Sequence, residues 1–249
     1  MKTVKLAAIT FASVLALSGV LAGGASVSAA TVDEPSTQTG TAYVTFTKTT
    51  PTAPLDPNDP TGTPDHGDDN STGEVGALTL DAIPARLNFG THEATTGAVD
   101  LTLNNSAAPA TPNSQGDGLE TTDEDGLIYT QVTNLMSPDV TWSLAAQLSE
   151  FSTADGAASL PQAVITLGSG QNQLLSADGT AWEPQAALTN AAIALTAGGA
   201  SVTYLESNQA GTTQQYWNTD DVSLAVPAGA QTIGDSTATM TWTLSAVVN

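Results

Sequence analysis

The chain has no cysteine among its 249 residues. That excludes disulfide staples, thiolate nucleophiles, thiol-based metal sites and a lipidated thiol, so stability has to come from packing and hydrogen bonds. Positive charge is almost as scarce. Four Lys and Arg stand against 25 Asp and Glu, for a formal net charge of −21. Without Lys and Arg to neutralise phosphate, neither nucleic acid nor anionic lipid is held by charge, and both are excluded as expected partners. Imidazole is limited to His66 and His92, neither in a nucleophile motif, and the sequence has no Gly-x-Ser-x-Gly and no His-Glu-x-x-His. A glycosidase needs only two carboxylates facing one sugar bond, but the acids here lie mostly in Pro-, Gly- and Thr-rich segments expected to be solvated. The chain reads as non-enzymatic, with no cofactor. It also lacks any convincing amphipathic helix.

At the N-terminus, Lys2 and Lys5 precede an apolar run from Leu6 to about Ala22, and Val27-Ser28-Ala29-Ala30 supplies small residues. This order predicts a secretory signal peptide over residues 1–30, cleaved after Ala29 or Ala30. Lys48 and Arg86 are then the only Lys or Arg left. The sequence shows no Leu-Pro-x-Thr-Gly sorting signal and no apolar C-terminal tail, so no membrane anchor is expected and retention on a cell would require binding.

Residues 31–48 contain one alternating run, Thr41 to Lys48, expected as a strand that Tyr43 and Phe46 draw back to the main body. From Thr49 to Gly76 the composition shifts to repeated Pro, Asp and Gly. Proline removes ladder donors and like charge opposes collapse, which predicts an extended, solvated linker or loop. Asp65, His66, Asp68, Asp69 and Asn70 crowd this linker. No Asp-x-Asp-x-Asp-Gly loop with a trailing Glu is present, so they read as solvated acids, with no metal assigned. Asp123-Glu124-Asp125-Gly126 and Asp220-Asp221 read as turns.

Residues 77–249 behave as one domain. Its clearest elements are two nearly identical stretches, Val140-Thr141-Trp142-Ser143-Leu144 and Met240-Thr241-Trp242-Thr243-Leu244. Residues two apart on a strand share a face, so each Trp-x-Leu pair lies on the apolar side of a half-buried strand. Further short strands are expected at Ala77 to Ile83, Leu87 to Phe89, Val99 to Leu103, Leu127 to Val132, Ala163 to Leu167, Ala192 to Leu195, Ser201 to Leu205 and Val222 to Val226. Leu103 to Thr122 reads as a long polar loop. Gln171 to Ala192 has Ala and Leu at spacings that fit a short helix, interrupted by Gly179 and Pro184. Together these predict an all-β sandwich, Greek-key-like, with long polar loops.

The residues resemble the WxL-domain cell-wall surface proteins of low-GC Gram-positive bacteria. The resemblance rests on an ordered set: Leu55-Asp56-Pro57-Asn58-Asp59-Pro60, Gly76-Ala77-Leu78-Thr79-Leu80, Ile83-Pro84 and Asn88-Phe89-Gly90. The first Trp-x-Leu follows with Phe151 behind it, then Leu160-Pro161-Gln162-Ala163, Val226-Pro227-Ala228-Gly229 and the terminal second copy. One departure is Asn134-Leu135-Met136-Ser137-Pro138, where the family has an Asp and a Gly in a tight turn. The resemblance implies a secreted protein held non-covalently on the wall, with peptidoglycan or an associated wall polymer as ligand, often in complex with other cell-surface proteins. An adhesin or scaffold that binds a host, matrix or bacterial surface protein, with retention supplied by a partner, shares the same composition.

For a ligand-binding role the candidates are Trp142, Leu144, Trp242, Leu244, Trp182 and Trp217. Alternation places the four motif residues on the face that a sandwich buries, so they read as core, or as rings reaching a groove at its edge. Trp182, Tyr216 and Trp217 stand in loop-like, Gln- and Thr-rich surroundings and read as exposed stacking residues or as rings folded over the core edge.

Overall fold

The computed structural model describes residues 43–62, 64, 71–84, 86–103, 126–136, 140–188 and 191–248. The signal peptide, the acids from Asp65 to Asn70, nearly all of the expected polar loop after Leu103, and Asp123 to Asp125 lie outside the described residues. The chain divides into two units, residues 1–44 and 45–249. Of the first, only Tyr43 and Val44 are described, and both are exposed.

The second unit is built from antiparallel strands: β1 (Leu78–Ala82), β2 (Val99–Thr102), β3 (Leu127–Asn134), β4 (Val140–Leu148), β5 (Phe151–Ser152), β6 (Ala158–Ser159) and β7 (Val164–Leu167). The rest are β8 (Gln171–Leu175), β9 (Trp182–Pro184), β10 (Ile193–Thr196), β11 (Val202–Ser207), β12 (Gly211–Asn218), β13 (Val222–Val226) and β14 (Met240–Val248). A five-stranded sheet runs β1-β3-β12-β8-β9, a four-stranded sheet β10-β7-β13-β2 and a three-stranded sheet β11-β4-β14, beside the small β5-β6 pair. Among the described residues, only β5–β6 and β8–β9 pair strands that are neighbours in the chain. The four- and three-stranded sheets adjoin where β10 meets β4 and β11.

Packing follows from alternation. In β4, Val140, Trp142, Leu144, Ala146 and Leu148 are buried, while the residues between them face outward. Of these, Trp142, Leu144, Ala146 and Leu148 join Ile128 and Val132 of β3, Ile165 and Leu167 of β7, Trp217 of β12 and Val222, Leu224 and Val226 of β13 in one core cluster drawn from all three sheets. This is the sandwich that the strand pattern predicts.

Four expectations are corrected. Residues 43–48 form no strand; Phe46 is 90% exposed and draws nothing back to the domain. Leu87 to Phe89 is likewise not a strand, though both apolar side chains pack on the core. Gln171 to Ala192 forms β8 and β9 rather than a helix, because the amides of β8 pair with β12. The segment 49–76 is not solvated throughout: Pro54, Pro57 and Pro60 are buried, and residues 53–57 lie against the five-stranded sheet.

Candidate functional site

Strand β3 is buried at all eight positions, and β12 at most of its own. One face, with Ile128, Val132 and Trp217, turns to the core. Antiparallel register carries the other face across three strands: Gln131 stands opposite Gln214, and Gln214 opposite Gln173. The three amides form a hydrogen-bonded row, Gln173 Nε2 donating to Gln214 Oε1 at 3.0 Å and Gln214 Nε2 to Gln131 Oε1 at 3.0 Å.

A buried amide costs about 1–3 kcal/mol if left unsatisfied. Residues 53–57 cross the row and supply the partners. Gln131 takes the Leu55 N–H at 2.9 Å and donates to the Ala53 carbonyl at 2.9 Å. Gln214 donates to the Leu55 carbonyl at 2.7 Å and Gln173 to the Pro57 carbonyl at 2.8 Å, while the Trp182 indole donates to the Asp56 carbonyl at 2.8 Å. Carbonyls two residues apart thus meet successive strands. An extended segment advances about 6 Å in two residues, which spans the strand spacing of about 4.8 Å on a slant.

Beneath the row, Asp81 is buried and its carboxylate accepts from Thr79 at 2.7 Å, Thr133 at 2.5 Å and Gln131 at 3.3 Å. Burial pushes this carboxyl above the usual range, against these hydrogen bonds and the pull of Lys48. The unfolded chain releases the proton at the ordinary value, so between the two values the native state binds more protons. Stability from this group is therefore lost as pH rises through that window and is level above it. We expect the urea midpoint of wild type relative to Asp81→Asn to fall between about pH 4 and the raised value, with a slope of up to about 1.4 kcal/mol per pH unit. A difference independent of pH would remove Asp81 as the source.

The Trp-x-Leu strands occupy the three-stranded sheet. Trp142 and Leu144 are fully buried, whereas Trp242 and Leu244 are half-buried because β14 is the sheet's edge. Tyr204 joins two indoles: its ring meets Trp242 edge-on at 5.6 Å and Trp217 tilted at 5.9 Å. Neither Trp142 Nε1 nor Trp242 Nε1 finds an acceptor among the described residues. Trp182 is half-buried against the 53–57 segment. Trp217, expected among loop-like residues, is instead buried in β12, its indole donating to Gly168 O at 3.0 Å. Gly170 lies so close under that ring that a Cβ would come within 2.8 Å of Nε1.

The opposite face of this sheet is polar. Thr203, Ala145 and Thr243 align across β11, β4 and β14, as do Glu206, Ser143 and Ser245, and Gln147 stands opposite Thr241. Thr203, Glu206, Gln147, Thr241, Thr243 and Ser245 are exposed. The middle residues of the two motifs, Ser143 and Thr243, belong to this face. Elsewhere, Val99, Asp100, Gln162, Val164, Val226 and Pro227 border a shallow 330 Å³ cleft, and Gln162 has a left-handed backbone at φ 61°. Asp59, Asp155 and Asp178 are exposed turn residues whose carboxyls are held low, first by hydrogen bonds from Thr61, Thr153 and Ser176 respectively.

Among the described residues no three His, Asp or Glu side chains converge as a metal site, and no helix is long and apolar enough to cross a membrane. No curated protein and no solved structure matches the chain significantly. The profile described as WxL domain surface cell wall-binding matches residues 33–247, most of the chain. With both motif strands paired in one sheet and the ordered set of family motifs around them, the chain belongs to the WxL-domain family of surface proteins that bind the cell wall.

Proposed function

We propose that the protein is secreted and holds peptidoglycan non-covalently, acting by binding rather than by catalysis, through the outward face of the three-stranded sheet. The observation that carries this reading is the array of Ser and Thr hydroxyls on that face, with the Gln147 amide and the Glu206 carboxylate among them, backed by buried Trp142 and Leu144. Polar side chains repeat about every 6.8 Å along a strand and about 4.8 Å across strands. Such a lattice suits a flat polymer rich in hydroxyl and amide groups, each contact contributing about 0.5–1.5 kcal/mol. At a net charge of −21, attraction to an anionic wall supplies nothing, so retention rests on hydrogen bonding and on stacking at the half-exposed edge of Trp242. The Trp-x-Leu motif has a mechanical role here: its large side chains anchor the strands that display Ser143 and Thr243.

The test is sedimentation of residues 31–249 with purified peptidoglycan stripped of teichoic acid. We expect wild type to sediment equally in low and high salt, since such contacts are weakly screened. A Thr243→Glu/Ser245→Glu variant should keep its circular dichroism and lose about tenfold in affinity. A wild-type chain that stays in the supernatant would replace peptidoglycan with another wall component or a surface protein. Binding that vanishes in moderate salt would remove the hydrogen-bonding account.

A further inference from the structure

The contact between residues 53–57 and the five-stranded sheet has the form of a ligand in a groove. Recognition is almost wholly through the segment's backbone: four carbonyls, of Ala53, Leu55, Asp56 and Pro57, accept from Gln131, Gln214, Trp182 and Gln173, and one N–H is taken by Gln131. Side-chain selection comes from Pro54 and Pro57, whose rings are buried. A row of amide donors demands acceptors and few donors. An extended proline-bearing peptide is the chemistry that fits, because proline presents a carbonyl and no N–H. The groove residues come from β3, β8, β9 and β12, at positions 131 to 214, so the site is complete without the segment that fills it.

We propose that the glutamine row of Gln131, Gln214 and Gln173, with Trp182, is a peptide-binding site for an extended proline-bearing segment, filled by residues 53–57 of the same chain and open to residues 53–57 of a second copy. Within one chain the tether raises the effective concentration of the segment to the order of millimolar. Exchange between copies is therefore suppressed in dilute solution and favoured where copies are crowded on a surface. The inference is independent of which wall component is bound, because the glutamine row and the outward hydroxyl face belong to different sheets.

Two full-length mature variants test it. Pro54→Gly/Pro57→Gly weakens the chain's own segment by removing two buried rings and loosening its backbone, and leaves the groove intact. Gln173→Leu/Trp182→Phe removes the donors to Pro57 and Asp56 and leaves the segment intact. A fluorescent peptide of residues 52–61 is titrated into each, and the two variants are then mixed and followed by light scattering. We expect the peptide to bind the proline variant at least tenfold more tightly than wild type. The groove variant should not bind it, and the mixture should give a one-to-one heterodimer that neither variant forms alone.

A proline variant with native near-UV dichroism that ignores the peptide overturns the site. Equal binding by the groove variant places the peptide elsewhere and overturns it as well. If the proline variant loses its native spectrum, millimolar peptide must restore it, or the segment is an inseparable part of the fold. Peptide binding without a heterodimer would overturn the second copy as occupant.

Discussion

Replacing Trp142 with Ala should unfold much of the protein at 37 °C and take wall retention down with it. The side chain is fully buried in β4, the central strand of its sheet, and a Trp→Ala change in a core costs about 3–5 kcal/mol. A domain of this size has only about 5–15 kcal/mol in hand. Trp242→Ala should cost roughly half as much by the same reasoning, because that ring is half-buried on edge strand β14 and loses chiefly its edge-to-face contact with Tyr204. Trp142→Phe should be milder than either, since it keeps a ring and deletes an indole N–H that has no acceptor among the described residues. Urea unfolding followed by near-UV dichroism gives the order. A folded Trp142→Ala that no longer binds the wall would contradict a purely structural role.

Gln131→Leu should be of similar severity, although it replaces one buried side chain with another of comparable size. The change removes the acceptor of the Leu55 N–H and of Gln214 Nε2, and the donor to the Ala53 carbonyl and to Asp81. Each buried polar group left without a partner costs about 1–3 kcal/mol, and the buried Asp81 carboxylate also loses a donor, so a total of about 4 kcal/mol is expected. Gln173→Leu, at the margin of the row, should cost about 1–2 kcal/mol. Equal urea midpoints for wild type and Gln131→Leu would mean that the row contributes nothing to stability.

These two sites differ in how well the sequence announces them. The motif strands β4 and β14 are legible because they are buried on one face only, so apolar and polar residues alternate along them. Strand β12 is not, because Thr212, Thr213, Gln214 and Gln215 are polar and buried, with a second layer over the sheet where the pattern leads one to expect water. Trp217 was hidden by the same neighbours. The 53–57 segment misleads for a related reason. Prolines and acids signal solvent when a strand must supply N–H donors, but a partner made of glutamine amides needs carbonyls, which a proline-rich segment has in full. What the sequence did carry was the motif Leu55-Asp56-Pro57, without the reason for it. The hydroxyl face behind Trp142 was present in the alternation from the start, as the residues between the apolar ones.

The glutamine row also sets the order in which the protein can be finished. Its segment at residues 53–57 is made early in synthesis, yet its bond partners are separated from it by 76 to 159 residues, with Gln214 the last to appear. The three-stranded sheet waits longer still, for β14. With so few neighbouring strands paired, contact order is high and loop closure must precede nearly every stabilising contact. Folding is therefore expected to be slow and to begin only when almost the whole chain is available, so that no stable half-domain forms on the way.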